Sequence, residues 1–135
     1  ILRREGQGGM TKLDKTRHHK VFLAELHGDT LLVIPQGDAA GFRDSDIARE
    51  HKVLMELVDD PRVANVLVDF GRSNYFGSTV IGAIHNLGIK IRAGGGKLGI
   101  CDASDEMRET LRTLRLDGIW QQYDSLKAAL KDFKS

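Results

Sequence analysis

The run Val63-Ala64-Asn65-Val66-Leu67-Val68 stops at Asp69, crosses a loop holding Gly71, Ser73 and Asn74, and enters a segment whose apolar residues Val80, Ile84, Leu87 and Ile91 recur at helical spacing. A strand so continuously apolar is covered on both faces. A helix with one apolar stripe packs that stripe onto a sheet. The preceding residues supply the partner strands. Val21, Leu23 and Glu25 alternate against Phe22, Ala24 and Leu26, His27-Gly28-Asp29 forms a turn, and Thr30 to Ile34 is a second strand. Gly28 provides the positive φ of a tight hairpin, and Pro35 ends the second strand. A helix capped by Asp44 or Ser45 follows, with Ile47, His51, Leu54, Leu57 and Val58 on one face, until Asp59-Asp60-Pro61 breaks it. Strand, helix, buried strand is a crossover, which is right-handed and yields a parallel pair.

The second half continues this alternation. Gly88 within the Val80 to Ile91 helix costs ~1 kcal/mol relative to alanine and implies close packing or a weak C-terminal half. His85 and Asn86 flank the stripe and face solvent. Gly94-Gly95-Gly96-Lys97 is no phosphate loop, because the glycines leave a helix and enter the strand Lys97 to Cys101; they cap the helix and make the turn. Ser104 caps the next helix, with Met107, Leu111 and Leu114 inward and Arg108, Arg112 and Arg115 on its other side. Glu109 among these arginines favours a solvated face over a binding stripe. Trp120 plugs the last elements, a short extended piece runs through Tyr123, and Asp124 or Ser125 caps a final helix with Leu126, Ala129, Leu130 and Phe133 inward.

At 135 residues this is one domain. Residues 1–19 are too poor in apolar groups to order themselves and read as a flexible tail; residues 20–135 form the domain. With 20 Lys and Arg against 19 Asp and Glu, the net charge of +1 gives no field for a nucleic acid. No apolar run is long enough to insert in a membrane, and the chain reads as cytoplasmic. Cys101 is the only cysteine and sits in an apolar run, as a buried core residue does. His18 and His19 are adjacent in the tail and do not converge on a metal. No cofactor, metal cluster or hydrolase motif is present, so the pattern is that of a binding module and not an enzyme. Asp69 and Asp102 lie near strand C-termini, where they either bind a metal beside Ser78 or, for Asp69, pair with loop N–H groups.

Ser78 and Thr79 stand at a helix start, where unpaired N–H groups and the positive dipole end favour an oxygen or an anion. The Ser78 hydroxyl is a cap, a phosphate acceptor, or both.

These residues resemble the STAS domain family, the domain of bacterial anti-sigma factor antagonists. Its signature, D-L-S-x-V-x-F-x-D-S-S-G-L-G, is met by Asp69, Tyr75, Ser78, Thr79 and Gly82. The glycine turn, the strand Lys97 to Cys101, Leu114 to Ile119 and Tyr123 to Leu130 agree downstream. The resemblance implies a single α/β domain, a mixed β-sheet with helices packed on one side. It implies binding to an anti-sigma factor, a serine kinase of the ATPase fold, with release of a sigma factor. Phosphorylation of Ser78, with Thr79 as alternative acceptor, would be the switch. Phe76, Gly77, Ser78, Thr79, Asn86 and Lys90 would form the partner surface, with Asp69 and Gly82 shaping it. Two departures from the signature matter: Gly77 replaces its acidic residue and Val80 its glycine. A STAS scaffold without a phosphate switch, in a lipid-transport or stress-signalling assembly, is the alternative.

Overall fold

The computed structural model describes residues 19–36, 42–72 and 78–134, with Ser78 and Lys134 described in their backbone alone. In chain order these form β1 (Phe22–His27), β2 (Thr30–Pro35), α1 (Asp44–Val58), β3 (Asn65–Asp69), α2 (Ser78–Ala93), β4 (Leu98–Cys101), α3 (Asp105–Thr113), β5 (Gln121–Tyr123) and α4 (Leu126–Lys134). The strands lie in the order β1-β2-β3-β4-β5. The β1–β2 pair is the antiparallel hairpin, turning through Gly28 at φ 62°, and the three later pairings are parallel. The sheet is mixed, as the resemblance implies.

The chain steps across this sheet in one direction. Right-handed crossovers with a constant direction of travel leave all connecting helices on the same face. Val66 and Val68 of β3 meet Leu31, Val33, Leu98 and Ile100 there, beneath Leu54, Leu57, Ile84, Leu87, Met107 and Leu111. The opposite face is also apolar, carrying Leu32, Ile34, Leu67 and Cys101. That face is covered by Ala129 and Phe133 of α4. Three helices therefore share one side, and the expectation of helices on one side alone is corrected by the fourth. The cause is the strands themselves, whose second apolar face needs cover of its own.

Gly99 makes this second layer possible. A Cβ there would lie 2.8 Å from Phe133 Cζ and 3.1 Å from Tyr123 Cε2. The two rings meet edge to face at a centroid distance of 5.8 Å, with Lys97 Nζ 4.7 Å from the Phe133 centroid.

Several local expectations hold, and others yield to longer-range contacts. Ser104 accepts from Met107 N at 3.1 Å and Ser125 from Ala128 N at 3.1 Å, so both act as helix caps. Gly88 packs tightly, since a Cβ there would approach Leu98 Cδ2 to 3.0 Å. Neither Asp44 nor Ser45 caps α1, because the helix begins one residue earlier: Arg43 is the N-cap and offers no side-chain bond, while Asp44 and Asp46 fall in the first turn. Leu114 is not inward; it is the C-cap of α3 and is exposed. His85 is half-buried rather than solvent-facing. Arg115 leaves the helix at φ 61°, Arg108 Nε donates to Ala103 O at 3.2 Å, and Arg112 pairs with Glu109, so no arginine stripe forms.

Glu50 is a departure that the helical pattern did not reveal. It lies fully buried in the middle of α1. Its carboxylate accepts from three consecutive backbone N–H groups, Lys20 at 2.7 Å, Val21 at 2.9 Å and Phe22 at 2.9 Å. His19, its side chain only 3% exposed, lies 3.5 Å from the same carboxylate and 3.1 Å from Phe22 O. A buried charge is tolerated only when so fully bonded. The nest ties the entry of β1 to α1.

Two substitutions test these contacts. Glu50→Ala strands three N–H groups and lowers the unfolding free energy by ~3 kcal/mol in a urea titration, with a smaller loss for Glu50→Gln, which keeps one acceptor oxygen. Gly99→Ala forces Phe133 and Tyr123 apart and costs ~1–3 kcal/mol in the same measurement.

Candidate functional site

The C-terminal ends of β3 and β4 bring one edge of the sheet to the start of α2. Past the end of β3, Phe70 N still donates to Cys101 O at 3.0 Å, which extends the β3–β4 ladder by one bond. Asp69 then turns the chain, its Oδ1 accepting Gly71 N at 2.8 Å. This is the pairing with a loop N–H weighed against a metal role. Gly71 passes close to β4: a Cβ there would lie 3.0 Å from Asp69 Oδ1 and 3.3 Å from Asp102 Cβ. Asp102 itself takes φ 57° as the chain leaves β4.

Asp69, Cys101 and Asp102 place one ligand atom each within 4.8 Å of one another. The thiol is fully buried, and its pKa is pushed up to about 12 by burial first and then by the negative charges of Asp69 and Asp102. Cys101 is thus a protonated core residue at neutral pH. One Asp69 oxygen is bonded to Gly71 N, and Asp102 is exposed at the sheet edge.

From this edge α2 runs back along the sheet. Val80, Ile84, Leu87 and Ile91 are buried, as their spacing requires. On the α1 side, His51 lies against the Ala83 backbone; burial lowers its pKa while the hydrogen bond to Ala83 opposes that shift. The outward residues are Thr79, Gly82, Asn86, Ile89 and Ala93, at spacings of three, four, three and four. This face bears no charge in a chain whose residues are 29% charged. Ile89 is 50% exposed. Among the described residues nothing requires Gly82, since a Cβ there would meet no atom within 4 Å, although a mid-helix glycine costs ~1 kcal/mol relative to alanine.

The structure brings Thr79, Gly82 and Asn86 together on one face and sets Ser78 at its head. Phe76 and Gly77 lie outside the described residues, as does Tyr75. Lys90 adjoins Ile89 but is turned toward α1, where its ammonium is 2.8 Å from Asp59 at the end of that helix. Ile89, exposed on this face, is not among the residues that sequence reasoning singled out. Its signal was available as the position opposite the buried stripe.

The sequence model of the STAS domain matches residues 15–129. The chain belongs to the STAS domain family. Solved structures agree with this STAS fold. A Thermotoga maritima protein superposes with a TM-score of 0.74 at 17% identity, over 88% of this chain and 99% of that one. An anti-sigma-factor antagonist (STAS) domain protein from Planctomyces limnophilus gives 0.73 at 18% identity, over 86% and 100%. The anti-sigma factor antagonist SpoIIAA, unphosphorylated, gives 0.72 at 13% identity, over 84% and 96%. At such identities the likeness establishes the fold. No curated protein matches the chain in sequence.

The buried thiol gives a direct check on this edge. Native protein at about pH 8 leaves Cys101 unmodified by iodoacetamide, and unfolding in urea makes it react. The folded thiol ionises later than an unfolded one, so its contribution to stability is complete below about pH 8.5 and is lost as pH rises toward 12. Tyr123, pushed up to about 12 by burial and by its bond to Asp132, acts in the same direction.

Proposed function

We propose that this STAS domain is an anti-sigma factor antagonist. It binds an anti-sigma factor, a serine kinase of the ATPase fold, in the cytoplasm and thereby frees a sigma factor. It acts by occupancy and not by catalysis. The observation that carries the proposal is the uncharged outer face of α2, headed by Ser78 at the C-terminal edge of the sheet. A charge-free face with one exposed isoleucine and a glycine that nothing among the described residues requires suits close approach by another protein. SpoIIAA, which shares the fold, has been solved in both unphosphorylated and phosphorylated forms. No described helix is long and apolar enough to cross a membrane.

The switch proposed for Ser78 follows from the same face. The kinase transfers the γ-phosphoryl group of ATP to Ser78 Oγ, the hydroxyl proton is lost, and ADP leaves. The product adds ~−2 charge at the head of a surface that has none, and a partner packed there must desolvate it. Thr79, exposed one residue later, is the alternative acceptor. A second reading, a STAS scaffold that docks without a phosphate, rests on Gly77 standing where the signature has an acid.

Incubation with a cognate kinase and ATP, read by intact mass, separates the two readings. The switch predicts the addition of one phosphoryl group, lost in Ser78→Ala or, if the neighbour accepts, in Thr79→Ala. An unchanged mass with active kinase removes the switch and leaves the scaffold. Docking is tested independently: Ile89→Glu weakens binding by calorimetry about tenfold or more. Unchanged binding by both Ile89→Glu and Asn86→Glu would reject this face.

A further inference from the structure

The three glycines after α2 answer to different demands. Gly95 takes φ +92°, which only glycine adopts freely. Gly96 admits no side chain, because a Cβ would lie 1.8 Å from Ala64 O. Gly94 is under neither constraint, since a Cβ there would meet only Ile91 O, at 3.7 Å. What Gly94 lines is a cavity of about 470 Å³ between the C-terminal ends of α1 and α2 and the start of β3. That volume lies within the ~300–1,000 Å³ usual for small-molecule sites.

The walls disfavour an anion. Gly94 N and Gly96 N donate to Ile91 O, and Gly95 N to Arg92 O, while Lys97 N donates to Asn65 Oδ1. Asp59 N and Asp60 N turn back to Glu56 O and Leu57 O. These backbone donors are all engaged. Two helix C-termini border the space, each carrying ~half a negative charge, and the Asp59 carboxylate stands on the wall. Asp60 is already held by Arg62 at 2.7 Å. Val58 and Ile91 supply an apolar lining. Lys90, the one cation among the lining residues, puts its ammonium 2.8 Å from Asp59. The chain's own amine thus occupies the negative focus of the cavity.

We propose that this cavity binds a small organic amine. An ammonium or guanidinium group takes Asp59 over from Lys90, and a short apolar stem lies along Val58 and Ile91. The site stands at the opposite end of α2 from Ser78 and does not depend on the antagonist reading.

The test is a titration of the full chain with agmatine at fixed ionic strength, followed in ¹H–¹⁵N spectra, with 1-butanol and acetate in parallel. Saturable shifts are expected at Asp59, Asn65, Lys90 and Gly94 with agmatine only. Lys90→Met removes the internal competitor and tightens binding about threefold, the scale of a partly exposed ion pair. Asp59→Asn, at an exposed position, abolishes saturation. Gly94→Leu narrows the cavity without altering charge and weakens binding. An absent or unsaturable response, a response retained in Asp59→Asn, an equal response to 1-butanol, or unchanged affinity in Gly94→Leu would each overturn the proposal.

Discussion

Burial of the three central strands on both faces governs the rest of this molecule. Leu31 and Val33 of β2, Val66 and Val68 of β3, and Leu98 and Ile100 of β4 require one helical layer, while Leu32, Ile34, Leu67 and Cys101 require another. Crossovers of a single hand supply the first layer automatically. The second comes from α4, and Gly99 leaves room for its Phe133. The same parallel pairing aligns the C-terminal ends of β3 and β4, and it is there that α2 starts. Fold and candidate site are thus consequences of one constraint.

Much of this architecture was legible because its signals are local. The stripe Val80, Ile84, Leu87 and Ile91, the Gly28 turn and the Ser104 cap each depend on residues a few positions apart. What escaped depends on partners far along the chain. Glu50 looks like an ordinary polar position of α1 until residues 20–22 arrive about thirty residues away in sequence and place their N–H groups around it. The side of the sheet taken by α4 cannot be read from its own amphipathic pattern, which specifies a buried stripe but not which sheet face receives it. The apolar second face of β2 held that information.

The site divides in the same way. The Ser78 position and the exposed Thr79 and Asn86 follow from helix spacing, whereas the ion pair that occupies Lys90 depends on where α1 ends. Electrostatics gives the two ends of α2 opposite characters. At the head, the outward residues Thr79, Gly82, Asn86 and Ile89 carry no charge. At the tail, helix termini and Asp59 gather negative charge around an internal amine. A single helix thereby presents two chemically distinct surfaces.

The central claim, that a protein partner docks on the outer face of α2, is tested most directly by amide hydrogen exchange on the chain alone and in complex with an anti-sigma factor kinase. The account predicts added protection concentrated in residues 79–89 of α2, with α4 and the β1 edge unchanged. Protection confined to α4 or to β1, with α2 exchanging as in the free chain, would contradict it.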